Sequence, residues 1–166
     1  MAVLAGGCFW GMEELIRKLP GVISTEAGYT GGAVANPTYA IVSTGTSGHA
    51  ESLRIVFDPT KLSYTDLLRF FFKIHDPTTL NRQGNDVGTQ YRSAIFYHTA
   101  EQKEISENIK AELNKSQAYP NPIVTEITAA SAFYIAEDYH QNYFNLNGKE
   151  PYCQYVIQPK IEKFEK

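Results

Sequence analysis

Cysteine is scarce in this chain of 166 residues, which has only Cys8 and Cys153, near opposite ends. Secreted domains that rely on disulfides carry many closely spaced cysteines, so the chain is not a scaffold of that kind. Neither cysteine has a close cysteine partner, and the four histidines lack the mutual spacing of a metal site. We therefore expect no bound metal, and we expect the cysteines to serve redox or catalytic chemistry.

Long apolar runs and an excess of positive charge are also missing. No stretch approaches membrane-spanning length, and the N-terminus has no basic segment followed by a long apolar one. The net charge of -3 gives no reason to expect nucleic acid or an anionic membrane as a partner. With 43% hydrophobic and 20% charged residues, the chain is expected to form one globular, cytoplasmic domain over residues 1–166. No glycine motif for dinucleotides or phosphates occurs.

The most informative segment is the turn Gly6-Gly7 followed by Cys8-Phe9-Trp10. Residues 1–5 are apolar and predict a strand, and the next apolar residues have helical spacing as far as Pro20-Gly21. A cysteine in the first turn of a helix faces unpaired N–H groups and the positive end of the dipole, which favour the thiolate. Many cysteines are buried core residues, but a core residue does not need two glycines before it. We interpret Cys8 as a nucleophile.

The remaining sequence alternates between strand and helix patterns. Strands are predicted at residues 22–29, 49–57, 91–97 and 123–127, and helices after the capping residues Ser63 and Thr99 and over 133–144. Residues 33–48 and 76–90 follow neither period and are interpreted as irregular. The order through residue 97 is typical of the split βαβ arrangement of ferredoxin-like folds. The predicted fold class is α+β: a two-layer sandwich of helices on a mixed sheet, with a long irregular C-terminal segment.

The irregular stretches and strand ends contain the polar groups that a site would need. Four side chains share this location: Tyr39, Glu51, Asp86 and Tyr91. Each has an ordinary alternative, since Glu51 could be a solvated carboxylate and Asp86 could form an Asx-turn. A cysteine hydrolase with His49 or His140 as base also stays open, because such a partner needs only to be near in space.

Five motifs occur in an order that resembles a known enzyme family. They are Gly7-Cys8-Phe9-Trp10-Gly11, Gly28-Tyr29-Thr30-Gly31-Gly32, Gly48-His49-Ala50-Glu51, Asn85-Asp86-Val87-Gly88-Thr89-Gln90-Tyr91-Arg92-Ser93 and Glu137-Asp138-Tyr139-His140-Gln141. Together they resemble peptide methionine sulfoxide reductase A over residues 5–151. The resemblance implies reduction of methionine S-sulfoxide, free or in proteins, with electrons from thioredoxin or a similar dithiol and no bound cofactor. We also expect a monomer.

The resemblance also implies a role for each candidate residue. Cys8 would attack the sulfoxide sulfur and become a sulfenic acid, while Phe9 and Trp10 would wall the pocket for the substrate methyl group. Glu51 would protonate the sulfoxide oxygen, which is the role a carboxyl raised in pKa by aromatic surroundings can play. The remaining residues would assist it: Tyr39 and Tyr91 by hydrogen bonds to the same oxygen, and Asp86 through a water.

The resemblance leaves the recycling step open. Members of the family often end in a Gly-rich tail with recycling cysteines, whereas Cys153 lies in Pro151-Tyr152-Cys153-Gln154-Tyr155-Val156-Ile157 without those glycines. Cys153 is the candidate resolving cysteine, which would form a disulfide with the oxidised Cys8, or else an inert structural residue. A module that binds methionine-containing peptides without turnover is the non-enzymatic alternative.

Overall fold

The computed structural model describes residues 1–84 and 86–141, so the Cys153 prediction lies outside the described residues. The strands are β1 Ala2–Gly6, β2 Val22–Thr30, β3 Ala50–Phe57, β4 Arg82–Gln83, β5 Asp86–Val87, β6 Ser93–Tyr97, β7 Glu126–Ala129 and β8 Tyr134–Ile135. The helices are α1 Phe9–Arg17, α2 Tyr39–Ser43, α3 Tyr64–Lys73 and α4 Ala100–Lys115, with single 3-10 turns at Thr89–Tyr91 and Asp138–His140.

Six strands form one mixed sheet in the order β7-β6-β1-β3-β2-β8. Strand β7 pairs parallel with β6, and every other pair in this sheet is antiparallel. The predicted α+β class with a mixed sheet is therefore confirmed. The register places Tyr29 opposite Glu51 and Gly6 opposite Ser93. The ends of β1 and β2 and the starts of β3 and β6 thus bring four of the five sequence motifs to neighbouring positions.

The helices bury one face of this sheet. Leu4, Leu53 and Ile95 of the sheet share a fully buried cluster with Leu68 of α3 and Ile16 of α1. Strand alternation sends Val3, Ala5 and Phe96 to the opposite face, where Phe133 partly covers them. At Gly28 a Cβ atom would lie 2.3 Å from the Phe133 ring, so only glycine allows this close approach.

Local capping chemistry explains where the long helices begin. The Ser63 hydroxyl oxygen accepts a hydrogen bond from the Asp66 N–H at 3.0 Å, and Thr99 accepts one from the Gln102 N–H at 3.1 Å. Both predicted capping residues are confirmed. Cys8 is the residue before the first helical residue of α1, with extended backbone angles, so it occupies the N-cap position.

Two predictions of secondary structure are wrong. The expected helix over 133–144 is replaced, in its described part, by the short edge strand β8 and a 3-10 turn. Strand β8 pairs with β2, and the Gln141 side chain makes hydrogen bonds of 2.8 and 2.9 Å with the backbone of Ala27. This stretch therefore supplies hydrogen-bond partners to the backbone at the edge of strand β2. The interval 33–48 contains helix α2, whose five residues are too few to show a helical period.

Smaller differences concern the other irregular regions. The stretch 76–90 includes the two-stranded ladder of β4 and β5, in which Gln83 pairs with Asp86. Among residues 1–84 and 86–141, no helix is long and apolar enough to cross a membrane. The same residues contain no group of three or more His, Cys, Asp or Glu side chains that could hold a metal ion.

Candidate active site

Cys8 lies at a sharp turn between a central strand and a helix. Gly7, directly before it, has φ +95°, a conformation that residues with a Cβ rarely adopt. A Cβ at Gly7 would lie 2.6 Å from the Gln83 side chain, so the turn is also closely packed. The Cys8 side chain is partly exposed at the N-terminus of α1. A rigid, accessible thiol at a helix N-terminus is well placed for nucleophilic attack.

Glu51 lies beside this cysteine and is only 2% exposed. Its Oε1 atom accepts a hydrogen bond from the backbone N–H of Phe9 at 3.2 Å. Burial raises the pKa of Glu51 to about 8; the Phe9 hydrogen bond opposes this rise, and the charge of Asp86 adds to it. The carboxyl group therefore keeps its proton at neutral pH. A protonated carboxyl beside a thiol can act as a general acid.

Tyr39 and Tyr91 are the two tyrosines predicted for the site, and both are partly exposed. Burial, followed by the negative charge of Glu51, raises the pKa of Tyr39 to about 12, while a hydrogen bond with Ser43 acts in the opposite direction. Burial, followed by the negative charge of Glu51, also raises the pKa of Tyr91. Both hydroxyls remain protonated, so they can donate hydrogen bonds to an oxygen held near Glu51.

The aromatic wall predicted from Phe9 and Trp10 has two unequal members. Phe9 is 1% exposed, and its ring centroid lies 5.8 Å from that of Tyr29 and 5.2 Å from that of His140. Trp10 is partly exposed and stacks on Tyr39 and His140 with centroids 6.4 and 5.6 Å apart. Trp10 therefore offers a partly exposed aromatic side chain next to Cys8 in the chain, whereas Phe9 belongs to the buried core.

His140 anchors that tryptophan from the other end of the described chain. Its Nδ1 atom accepts a hydrogen bond from Trp10 Nε1–H at 2.9 Å, which requires the proton of the neutral ring to be on Nε2. Burial lowers the pKa of His140, against the opposite effect of the Glu137 charge. Within the described part of the chain, its Nε2 atom is buried without a hydrogen-bond partner.

These contacts disfavour the cysteine hydrolase that the sequence left open. A base for Cys8 needs an unprotonated ring nitrogen within reach of the thiol. In His140 the unprotonated nitrogen, Nδ1, already accepts the hydrogen bond from Trp10. In His49, Nδ1 accepts from the Gly32 N–H at 3.1 Å, and Nε2–H donates to the Val34 carbonyl at 2.6 Å. His49 therefore holds the loop after β2.

Asp86 is in the short ladder beside the Gly7 turn and is partly exposed. Its contribution to the raised pKa of Glu51 places it near that carboxyl. Electrostatic interactions link Tyr39 and Tyr91 to both Glu51 and Cys8, and Glu51 to Asp86. The structure thus brings these five side chains together, and Glu51 is the buried one among them.

Glu137 is a site component that the residues themselves did not predict. It accepts hydrogen bonds from the Tyr29 hydroxyl at 2.9 Å and from the Tyr39 backbone N–H at 3.0 Å. Burial acts to raise its pKa, but hydrogen bonds, including those from Tyr39 and Tyr29, outweigh burial and lower it. The sequence signal for this residue is the motif Glu137-Asp138-Tyr139-His140-Gln141, which by itself indicates no role for the carboxylate.

The whole chain matches a known family and known sequences. Residues 1–166 match the sequence model of a protein family, peptide methionine sulfoxide reductase. A peptide methionine sulfoxide reductase MsrA of Deinococcus radiodurans is 52% identical over 162 residues, which cover 98% of this chain and 79% of the relative. The protein of the same name from Saccharolobus solfataricus is 51% identical over 166 residues, covering 100% of this chain and 93% of the relative.

Solved structures resemble the chain as well. The reduced form of Mxr1 from Saccharomyces cerevisiae has a TM-score of 0.85 and 37% identity, covering 92% of this chain and 87% of that one. Mxr1 in complex with Trx2 has a TM-score of 0.61 and 30% identity, covering 86% of this chain and 82% of that one.

Proposed function

Because the chain belongs to the peptide methionine sulfoxide reductase A family and reduces methionine S-sulfoxide to methionine, we propose how its residues perform that reaction. The Cys8 thiolate attacks the sulfoxide sulfur and forms an S–S bond as the sulfoxide oxygen is protonated. The resulting hydroxyl group then moves to the Cys8 sulfur: the S–O bond to the substrate and the S–S bond break, and an S–O bond to Cys8 forms. The net change moves one oxygen atom from substrate sulfur to the Cys8 sulfur: methionine is released and Cys8 becomes a sulfenic acid. Two electrons pass from the cysteine to the substrate.

Glu51 supplies the proton that this step needs. A sulfoxide oxygen is a poor leaving group, and protonation in the transition state makes its departure easier. The buried, protonated carboxyl of Glu51 next to the Cys8 turn, with its pKa raised to about 8, is the observation that carries the proposal. Because Oε1 accepts the Phe9 N–H, we place the acidic proton on Oε2. Tyr39 and Tyr91 donate hydrogen bonds to the same oxygen, and Asp86 supports them through a water.

The substrate methyl group binds against Trp10 and Phe9. The partly exposed Trp10 and the buried ring of Phe9, which follow Cys8 in the chain, supply the apolar wall. An apolar methyl group on one side and a hydrogen-bonded oxygen on the other orient the sulfoxide by its two different substituents. This arrangement supports selection of one sulfoxide epimer.

Reduction of the sulfenic acid completes the cycle. We propose that the Cys153 thiol attacks the Cys8 sulfenic acid, forming a disulfide and releasing water, and that thioredoxin or a similar dithiol reduces the disulfide by exchange. The likeness to Mxr1 in complex with Trx2 supports a thioredoxin-type reductant. One equivalent of sulfoxide without reductant should consume both thiols. If Cys153 is not the resolving thiol, it stays open to alkylation, and a Cys153→Ser variant cycles on thioredoxin at the parent rate.

Epimer selectivity tests the proposed function. A peptide carrying racemic methionine sulfoxide, incubated with the protein and dithiothreitol, should lose the S epimer only, as followed by chromatography. Cys8→Ser is the control and should leave both epimers intact. Persistence of both epimers with the parent protein would contradict the proposal, and peptide binding without turnover would instead favour a binding module.

We further propose a ferredoxin-like split βαβ core in a single two-layer domain over residues 1–166. The antiparallel order β6-β1-β3-β2, with helices α1 and α3 after the first and third of these strands in the chain, supports that description. We also propose that the protein acts as a monomer without a bound cofactor, since one chain supplies every site residue named above.

A further inference from the structure

We propose that Glu137 is a positioning residue for catalysis, which acts by holding Tyr39 in place against the sulfoxide oxygen. The inference rests on the proposed function, because it assigns Tyr39 its role as a hydrogen-bond donor. Glu137 itself lies outside the reacting groups. Its carboxylate contacts the backbone of Tyr39 and the hydroxyl of Tyr29, and neither contact involves the Tyr39 hydroxyl.

Helix α2 is short and largely exposed. It contains five residues, Tyr39–Ser43, of which only Val42 is buried. Helices this short are not stable alone, because the first turn costs more conformational entropy than its hydrogen bonds return. A catalytic side chain on such a helix needs an external anchor, since misplacement of a donor by about 1 Å can slow catalysis about 100-fold.

Glu137 provides that anchor at the first helical residue. Glu137 Oε2 accepts the Tyr39 N–H at 3.0 Å, and the Thr38 hydroxyl accepts the Ile41 N–H at 3.3 Å. N–H groups in the first turn of a helix have no partner inside the helix, and a negative charge there is favoured by the helix dipole. Because hydrogen bonding lowers its pKa, Glu137 is ionised at neutral pH and suits this position.

The other carboxylate oxygen of Glu137 binds strand β2, which lies next to Glu51. Glu137 Oε1 accepts the Tyr29 hydroxyl at 2.9 Å, and Tyr29 is buried and pairs directly with Glu51 in the sheet. One carboxylate thus links the helix that carries Tyr39 to the strand beside Glu51. His140, three residues later, has its ring 4.5 Å from that of Tyr39 and so packs on the same helix.

A double-mutant cycle tests this link. Single-turnover rate constants for sulfenic acid formation are measured for Glu137→Ala, Tyr39→Phe and the double variant, with Glu137→Gln as the conservative change. Tyr139→Phe is the matched control. Tyr139 is exposed, and its hydroxyl lies 3.5 Å from the same carboxylate, so this substitution removes only a weak hydrogen bond. Thermal unfolding of every variant shows whether each one is folded.

If Glu137 acts through Tyr39, Glu137→Ala and Tyr39→Phe should each slow the step by about ten-fold or more, and combining them should add less than about two-fold. Substrate affinity should change little, because the Trp10 wall is intact. Gln, which can still accept the Tyr39 N–H, should restore most of the rate. Tyr139→Phe should match the parent.

Two results would overturn the inference. Effects that multiply fully in the double variant would mean that Glu137 acts independently of Tyr39, whether or not Glu137→Ala is less stable. A parent-like rate for Glu137→Ala would mean that Tyr39 needs no anchor. In both cases a parent protein that still reduces the S epimer leaves the proposed function intact, whereas an inactive parent would refute that function itself.

Discussion

Glu51→Gln removes the proposed proton donor while keeping the size and shape of the buried side chain. Because burial raises the pKa of Glu51 to about 8, about nine-tenths of these carboxyl groups are protonated at pH 7. At the ordinary value of 4.5 the protonated fraction would be about one in 300. Loss of a general acid typically slows a reaction about 10²- to 10⁴-fold. We expect that loss in the rate of sulfenic acid formation at pH 7.

The pH dependence of the effect makes the prediction sharper. The acid form of Glu51 falls from about nine-tenths at pH 7 to about one-tenth at pH 9, so the parent loses its advantage as the pH rises. The ratio of the parent rate to the variant rate should therefore fall about ten-fold between these values. Taking the ratio removes the pH effects that the two proteins share. Rapid-quench single turnovers with excess enzyme, read as methionine formed, measure both rates.

Glu26→Gln is the matched control for this measurement. Glu26 is on strand β2, where it forms an ion pair with Arg54 at 2.7 Å, and its side chain is 41% exposed. The same chemical change at this position should leave both the rate and its pH profile as in the parent. A Glu51→Gln rate equal to that of the parent at pH 7, or a ratio that stays constant from pH 6 to 10, would refute the assignment of Glu51 as acid. Asp86 or a tyrosine would then be tested next.

Four further outcomes are expected. Cys8→Ser should abolish turnover in the epimer assay without loss of the folded state. Gly7→Ala should destabilise the fold by at least about 1–2 kcal/mol in urea unfolding, because φ is +95° there and Gln83 leaves no space for a methyl group. Phe71→Ala should cost about 3–5 kcal/mol, since that ring is fully buried. In the parent, the folded state binds the Glu51 proton more tightly than the unfolded chain does, so this group makes stability fall as the pH rises from about 4.5 to about 8. The free energy of unfolding of Glu51→Gln minus that of the parent should therefore increase with pH in that window, by at most about 1.4 kcal/mol per pH unit. Above the window this difference should stay constant.

Local features of the fold could be predicted because their causes lie within a few residues. A serine or threonine that accepts an N–H three residues later marks a helix start, as at Ser63 and Thr99. The same reasoning failed where the partner was distant. Residues 133–141 form an edge strand and a turn instead of a helix, because β2 offers an unpaired edge that no local pattern reveals.

For the site, the sequence by itself determined the kinds of chemical group available: a thiol after a glycine turn, a carboxyl at a strand start, and aromatic neighbours. Only the tertiary structure decided what each group can do. The raised pKa of Glu51 depends on burial, and the partners of Trp10 and Tyr39 lie 130 and 98 residues away along the chain. Sequence periodicity records which face of an element is apolar, whereas desolvation and hydrogen-bond partners are created only when distant segments close around a group.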